Sequence, residues 1–256
     1  MGQIFNALYY YWNLGRCKTF QFHKKDFFIK PRIIGSISWL GVSAFVTQIE
    51  TVFVQLVGNN LLVHYGTLSK YGPDIPMAAY GITMKLLMLV SGVATGIIMG
   101  AQPILGYNYG SRQFSRVKKC YKDAVLVSTL VLIVAFLVFE FAPEAVVSLF
   151  GQESALYEEF AVKALQIFMC LCPIVGFCVI TPVFFQSIGK PIPATILSIC
   201  RQLVFLTLAM VAMTRLMGVE GILWAGPISN ALAAILSAVM LIYQWKRIFK
   251  ERYNEQ

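Results

Sequence analysis

The chain of 256 residues is 58% hydrophobic and only 13% charged, whereas soluble domains average about 25% charged residues. This composition excludes an ordinary soluble domain and predicts a protein that crosses a membrane several times. The formal net charge of +9 does not indicate a nucleic-acid partner, because the basic residues collect in alternate loops between apolar segments.

The first apolar run, residues 4–12, is too short to cross a bilayer. Basic residues follow this run, whereas a secretory signal carries its positive charges first. Three tyrosines and a tryptophan beside a basic stretch are typical of the interfacial end of a transmembrane helix. We therefore interpret residues 1–32 as the end of a preceding helix plus a cytoplasmic basic linker, with a short interfacial anchor as the alternative.

Six longer apolar segments follow, each near or above the roughly 20 residues that a helix needs to cross the hydrocarbon core. The segments are 33–57, 77–108, 124–142, 160–186, 192–213 and 221–243. They predict an all-α polytopic membrane protein, with a transmembrane lobe of six helices at 33–245 and a cytoplasmic tail at 246–256.

The lysines and arginines are distributed unevenly between the loops. Sixteen of the 21 lie before the first segment or after the second, fourth and sixth segments. The opposite side holds Lys70 and Arg215, with Lys163 at the edge of the fourth segment, together with five glutamates. The positive-inside rule therefore predicts a multi-pass protein of the inner or plasma membrane with both termini in the cytoplasm.

Glycines and prolines mark special positions inside these segments. Gly92, Gly96 and Gly100 recur every four residues, which predicts a bare helix face that a neighbouring helix approaches closely. Pro173 and Pro182 interrupt the fourth segment, where each removes a backbone donor and predicts a kink.

Charged side chains inside a bilayer cost at least about 2.5–3.5 kcal/mol each, so each one needs an explanation. Glu50 lies in the first segment, Lys85 in the second, and Arg201 beside Gln202 in the fifth. Glu50 is the candidate for a carboxylate that alternates between protonated and ionised states and couples cation flow to substrate movement. The alternative is a structural partner that neutralises Lys85. For Lys85 and Arg201, a structural charge pair or snorkelling to an interface is the simpler interpretation.

The most specific pattern runs from Gly100 to Gly110, at the end of the second segment. We interpret it as a membrane helix that ends in a turn broken by proline and glycine, followed by a cationic cytoplasmic loop. Its characteristic residues are Gly100, Gln102, Pro103, Gly106, Tyr107, Asn108 and Gly110.

This stretch resembles the end of the second helix in the C-terminal lobe of MATE (multidrug and toxic compound extrusion) transporters. Weaker patterns resemble other parts of that lobe in the same order along the chain. Asn59–Gly66 resembles its first extracellular loop, and Ala78–Ile82 with Lys85 resembles the opening of the next helix. Phe185–Lys190, with Arg201 and Gln202, resembles the segment between its fourth and fifth helices. Gly221–Asn230 resembles the start of its last helix.

The resemblance implies one of the two six-helix lobes of a transporter of the MOP superfamily, which exports organic cations and other drugs in exchange for H⁺ or Na⁺. Some members of the family use a glutamate in the helix that corresponds to 33–57, which makes Glu50 the expected cation-coupling residue. Gln48, Lys85, Arg201 and Gln202 are candidates for the substrate cavity. No cofactor is expected besides the coupling ion. The expected partners are a drug or organic cation, membrane lipid, and a second lobe or second copy.

Other functions stay open or are disfavoured by particular residues. A flippase for lipids or polysaccharide precursors, from the same superfamily, would use Lys85 and Arg201 to meet an anionic substrate. A truncated fragment without transport activity is a further alternative. We do not expect an enzyme, because His23 and His64 are assigned to loops on opposite sides of the membrane and no Ser/His dyad falls inside it. The six cysteines lack metal-ligand spacing and are interpreted as small buried hydrophobic residues.

Overall fold

The computed structural model describes residues 2–16, 31–150 and 154–253, and within these ranges the chain is helical and contains no strand. Most of the predicted basic linker, residues 17–30, lies outside the described residues. The chain separates into two compact units, residues 1–46 and 47–256. The first unit holds helix α1 (Gly2–Arg16) and the beginning of α2 (Pro31–Thr67).

The second unit holds the remainder of α2 and all later helices. These are α3 (Asp74–Gly110), α4 (Phe114–Phe141), the short α5 (Pro143–Ser148), α6 (Ala155–Met169), α7 (Cys172–Ser187), α8 (Pro191–Ile199), a π-helical segment (Cys200–Leu206), α9 (Thr207–Met217), a 3₁₀ turn (Gly218–Glu220) and α10 (Gly221–Tyr253).

The predicted all-α polytopic lobe is confirmed. Among the described residues, three stretches are long and apolar enough to cross a membrane, and α6 with α7 forms a fourth that is bent by 50°. The third stretch, Pro191–Trp245, reverses at Gly218, where φ is +65°, and α9 then packs against α10. It therefore supplies the fifth and sixth predicted segments. Gly221 permits this tight reversal, because a Cβ there would overlap the backbone of Met213.

Two segments that the sequence analysis assigned to loops are helical. The stretch Asn59–Gly66, with His64, forms the last turns of α2, and Asn60 Nδ2 donates to the Leu56 carbonyl at 2.9 Å. Polar side chains can thus form hydrogen bonds within the helix, and the loop between α2 and α3 is confined to residues 68–73. The basic run after Gly110 is also mostly helical, because α4 begins at Phe114 and a charged face is compatible with a helix end.

The prolines differ in their effects. Pro173 lies in the first turn of α7, directly after the bend between α6 and α7, so the kink predicted there is confirmed. Pro182 lies inside α7 and Pro103 inside α3, and neither helix ends at its proline. The prediction that the second helix ends with Gly100–Gly110 is confirmed, since α3 ends at Gly110, but no break occurs at Pro103, because a helix can continue past one missing N–H.

The glycine stripe on α3 is not covered by a neighbouring helix. Among the described residues, no atom lies within 4 Å of a Cβ placed on Gly92, Gly96 or Gly100. The close helix approach predicted at this face is therefore absent within the described part of the chain. Such approaches occur instead at Gly176, where a Cβ would lie 2.5 Å from Ser128 Oγ, and at Gly226, where it would lie 2.6 Å from the Phe168 ring.

Polar contacts join loops that the charge pattern assigns to the same side of the membrane. On the predicted outer side, Lys70 Nζ lies 2.9 Å from Glu159 Oε1, and Lys163 Nζ lies 2.6 Å from Glu220 Oε1. The hydrogen bond to Glu159 raises the pKa of Lys70 above its ordinary value. On the opposite side, Lys190 Nζ donates to Gln244 Oε1 at 3.1 Å. The helices therefore alternate in direction as the sequence predicts.

Candidate functional site

Glu50 is the most unusual buried group among the described residues. It lies on α2, its exposed fraction is 3%, and its Oε1 atom has no hydrogen-bond partner. An ionised carboxylate that is removed from water without full compensation is costly, so such a position requires a source of positive charge. This geometry makes Glu50 the centre of the candidate site.

Arg201 carries the positive charge that acts on Glu50. The two side chains interact electrostatically, and the backbone amide of Leu203 also faces the carboxylate. The guanidinium does not form a direct ion pair with Glu50, since their nitrogen and oxygen atoms are farther apart than 4.0 Å. The alternative in which Glu50 neutralises Lys85 is not what the structure shows, because Lys85 is exposed and does not act on Glu50.

Arg201 lies in a π-helical segment that the sequence did not predict. The segment spans Cys200–Leu206, and α10 packs against it. Ser229 Oγ on α10 donates to the Arg201 carbonyl at 2.9 Å, which anchors this widened turn to the neighbouring helix. Short π-helical stretches inside α-helices occur frequently at functional sites. The only signal in the sequence was the polar pair Arg201-Gln202 within an apolar segment.

Helices α7 and α10 complete the surroundings of Arg201. Cys178 on α7 donates its Sγ–H to the Asn230 carbonyl at 3.5 Å. Ser229 and Asn230 are both buried. Cys178, Ser229 and Asn230 were not predicted from the sequence as residues of the site. The polar pair Ser229-Asn230 within the apolar last segment was the signal that could have indicated them.

The other predicted cavity residues are dispersed. Gln202 is half-buried beside Arg201. Lys85 is exposed on α3, seven residues from Gly92, and therefore on the same helix face as the uncovered glycine stripe. Gln48 lies on α2 two residues before Glu50, and its side chain is outside the described part of the structure. The structure thus relates Glu50 to Arg201, leaves Lys85 exposed on α3, and gives no contact between Gln202 and Glu50 among the described residues.

The residues from Gly100 to Gly110 form the last turns of α3. Gly106 brings α3 close to α7, because a Cβ there would lie 3.3 Å from the Ser187 carbonyl oxygen. Asn108 is buried, and its Nδ2 donates to the Ile104 carbonyl at 2.8 Å. Tyr107 is exposed. The close approach at Gly106 shows that this stretch contributes to helix packing at the end of the lobe.

The described residues contain no group of three or more His, Cys, Asp or Glu side chains arranged to hold a metal ion. The cysteines within the described ranges are free thiols, and Cys172 and Cys178 are buried.

Known proteins resemble this chain over most of its length. The MatE family model matches residues 44–211. The multidrug export protein MepA of Staphylococcus aureus (strain bovine RF122 / ET3-1) is 26% identical over 211 residues, which cover 82% of this chain and 44% of that protein. MepA of Staphylococcus saprophyticus is 24% identical over 218 residues, covering 84% of this chain and 46% of that protein. The chain spans less than half the length of these curated relatives.

Solved structures share the fold. The crystal structure of a MATE protein in the straight conformation aligns with a TM-score of 0.82 at 18% identity, covering 96% of this chain and 55% of that chain. The inward-facing conformation of a multidrug resistance MATE family transporter of the MOP superfamily aligns with a TM-score of 0.75 at 19% identity, covering 89% of this chain and 51% of that chain. The helical arrangement of this lobe is therefore that of half a MATE structure.

Proposed function

Because the chain belongs to the MatE family, we propose that it forms one lobe of a secondary active antiporter that exports organic cations and other drugs in exchange for H⁺ or Na⁺. The observation that carries this proposal is Glu50, whose side chain is 3% exposed and whose Oε1 has no hydrogen-bond partner among the described residues. A buried carboxylate of this kind is suited to take up a cation during a transport cycle.

In the proposed cycle, binding of H⁺ or Na⁺ neutralises Glu50 and release restores its charge. A ligand shifts a conformational equilibrium only by its differential affinity for the two states. The coupling ion therefore has to bind Glu50 more tightly in one orientation of the transporter than in the other. Arg201 acts on Glu50, Gln202 follows Arg201 in the sequence, and Gln48 is two residues from Glu50; we assign all three to the proposed cavity.

The second lobe is a further part of the proposal. The chain corresponds to 44% of MepA of Staphylococcus aureus, and alternating access in transporters of this kind moves two halves against each other. A second copy of this chain or a separately encoded first half would complete the cavity, together with surrounding lipid. MATE family members are multi-pass proteins of the plasma membrane. The positive-inside pattern supports a cytoplasmic location for both termini of this chain.

The proposed function is tested by efflux of a cationic dye from a bacterium that lacks its own multidrug pumps. Three proteins are compared: the chain alone, the chain fused behind the first lobe of MepA, and the fused protein with Glu50→Gln. We expect the fused protein to export dye in response to an imposed Na⁺ or H⁺ gradient, and the Glu50→Gln variant to lose this response. Activity of the chain alone would identify self-pairing as the source of the second lobe.

Arg201 and Lys85 favour one second candidate, a flippase for anionic lipid-linked substrates, because both cations lie in apolar helices. Full membrane expression of the fused protein without dye export, together with transfer of an anionic lipid across vesicle bilayers, would replace the antiporter proposal by this one. Absence of both activities would identify a fragment that does not transport.

A further inference from the structure

The surroundings of Glu50 contain a second charge whose placement the proposed function does not explain. Arg201 is half-buried within an apolar helix, which is costly unless its charge is compensated. Among the described carboxylates, Glu50 is the one that acts on it. Glu50 in turn experiences one cation among the described residues, and this cation is Arg201. The two groups therefore serve as each other's charge partner.

The partnership acts across a gap. A direct ion pair would place nitrogen and oxygen within 4.0 Å, and Arg201 and Glu50 do not reach this distance. Glu50 Oε1 is left without a hydrogen-bond partner. The carboxylate thus experiences the positive potential of the guanidinium but retains an oxygen that can bind a small cation.

The backbone that carries Arg201 is held in place from a neighbouring helix. Ser229 Oγ donates to the Arg201 carbonyl at 2.9 Å, across 28 residues of sequence. The same π-helical segment directs the Leu203 amide toward Glu50. Cys178 on α7 donates its Sγ–H to the Asn230 carbonyl of α10. α10 therefore holds both the π-helical segment and the Cys178 thiol of α7.

We infer that Arg201 is the internal counter-cation of Glu50 and competes with the coupling ion for the carboxylate, with Ser229 as the positioning residue that holds the π-helical segment. This inference rests on the proposed role of Glu50. An arriving cation has to overcome the potential of Arg201, so Arg201 weakens ion binding and favours release. An antiporter needs such release, because an ion that binds too tightly does not leave.

The test uses the purified chain and requires no transport. Binding of an ion to the folded state raises the unfolding temperature, so titration with NaCl, with choline chloride holding the ionic strength constant, gives a half-saturating Na⁺ concentration. A parallel series varies pH without Na⁺. The described charged and titratable groups that act on this pair are Glu50 from α2, Arg201 from the π-helical segment and Cys178 from α7.

We expect Arg201→Gln to lower the half-saturating concentration of the coupling ion about tenfold, the effect of removing one nearby like charge. Ser229→Ala should lower it about threefold, since the π-helical segment loses one of its anchors. Arg201→Lys should preserve the wild-type value, because an interaction across a gap needs the charge rather than the planar fork of arginine.

Two substitutions serve as matched controls and should leave the half-saturating concentration unchanged. Arg215→Gln removes a positive charge at the exposed end of α9, and Thr195→Ala removes an exposed hydrogen bond to the Pro191 carbonyl.

The outcomes separate the inference from the proposed function. If Glu50→Gln abolishes the response to ions but Arg201→Gln and Ser229→Ala keep the wild-type concentration dependence, the counter-cation role is overturned and the coupling role of Glu50 stands. If Glu50→Gln keeps the response, or if the wild-type chain shows none, both fall. Should Arg201→Gln fail to fold, Ser229→Ala and Arg201→Lys decide the question.

Discussion

Two interior regions of this lobe differ in whether their buried polar groups are charged. Toward the end where α3 and α7 finish, the Tyr121 hydroxyl and Thr181 Oγ1 lie 2.9 Å apart, and Thr181 Oγ1 also donates to the Phe177 carbonyl. The Tyr121 and Phe184 rings lie 4.6 Å apart between their centroids, and Phe184 stacks on Trp245 at 6.0 Å. In the second region, Glu50 Oε1 is also buried, and it has no hydrogen-bond partner within the described part of the chain.

The difference separates a structural interior from a functional one. In the aromatic cluster around Tyr121 and Phe184, each of the two hydroxyls is paired and the rings fill the space between three helices, so the region resists rearrangement. At Glu50 and Arg201, a pair of charges is held apart inside apolar helices, which lowers stability unless a ligand takes part. Buried charged groups of this kind accumulate where a protein binds or releases something.

The largest expected effect is a loss of transport activity without a loss of stability when Glu50 is replaced. Glu50→Gln should abolish ion-dependent dye efflux by the fused protein while leaving its unfolding temperature nearly unchanged, because glutamine has the same size and Glu50 forms no direct ion pair with Arg201. Dye fluorescence in vesicles and thermal unfolding of the same preparation provide the two measurements. A large fall in unfolding temperature with efflux intact would remove the distinction between the two regions.

The aromatic cluster should show the reverse behaviour. Phe184 is fully buried, and Phe184→Ala should lower the free energy of unfolding by about 3 kcal/mol through lost packing. The half-saturating ion concentration of the protein that remains folded should not change. Reversible unfolding in mixed detergent measures the first quantity, and an ion titration measures the second. A strong change in ion response would show that the cluster belongs to the site.

A smaller effect is expected when glycines are replaced by alanine. The loss of stability should depend on which atoms the new Cβ meets and not on the spacing of the glycines in the sequence. Gly176→Ala should lower stability by about 1–3 kcal/mol, because its Cβ would lie 2.5 Å from Ser128 Oγ. Gly96→Ala is the matched control, since nothing lies within 4 Å of its Cβ and alanine favours a helix. Equal losses of stability at the two positions would contradict the packing described for α3 and α7.

The smallest effect is expected at the ion pair between Lys70 and Glu159, whose side chains are 60% and 51% exposed. Removing either group should change stability little, because water and salt screen an exposed pair. The pKa of Lys70 is raised in the folded protein. The pair therefore stabilises the fold at pH values below the ordinary lysine pKa, and this stabilisation is lost as the pH rises through the raised pKa. A double-mutant cycle across alkaline pH checks this, and a large coupling that persists after lysine deprotonation would contradict it.

The sequence was sufficient for the helices and insufficient for the site. Hydrophobic length and the distribution of lysine and arginine predicted six membrane segments, because both depend on composition within short windows. Helix ends were harder to predict: Asn60 bonds within α2, so polarity alone did not mark the loop. The sequence offered only Lys85 as a partner for Glu50, and the three-dimensional structure was needed to identify Arg201 instead. The π-helical segment is also bonded by Ser229 from α10, and although Ser229-Asn230 is a polar pair in an apolar segment, the sequence does not show which distant residue it contacts.

The most direct test of the central claim is chemical labelling of Glu50 with a hydrophobic carbodiimide, which reacts with protonated carboxyl groups in apolar surroundings. Mass spectrometry of the purified chain gives the labelling rate at this residue as a function of Na⁺ concentration and pH. If Glu50 takes up the coupling ion, it should react selectively, and the rate should fall with added Na⁺ or with rising pH. A Glu50 that stays unreactive, or that reacts at one rate under all conditions, would contradict its role as the coupling carboxylate.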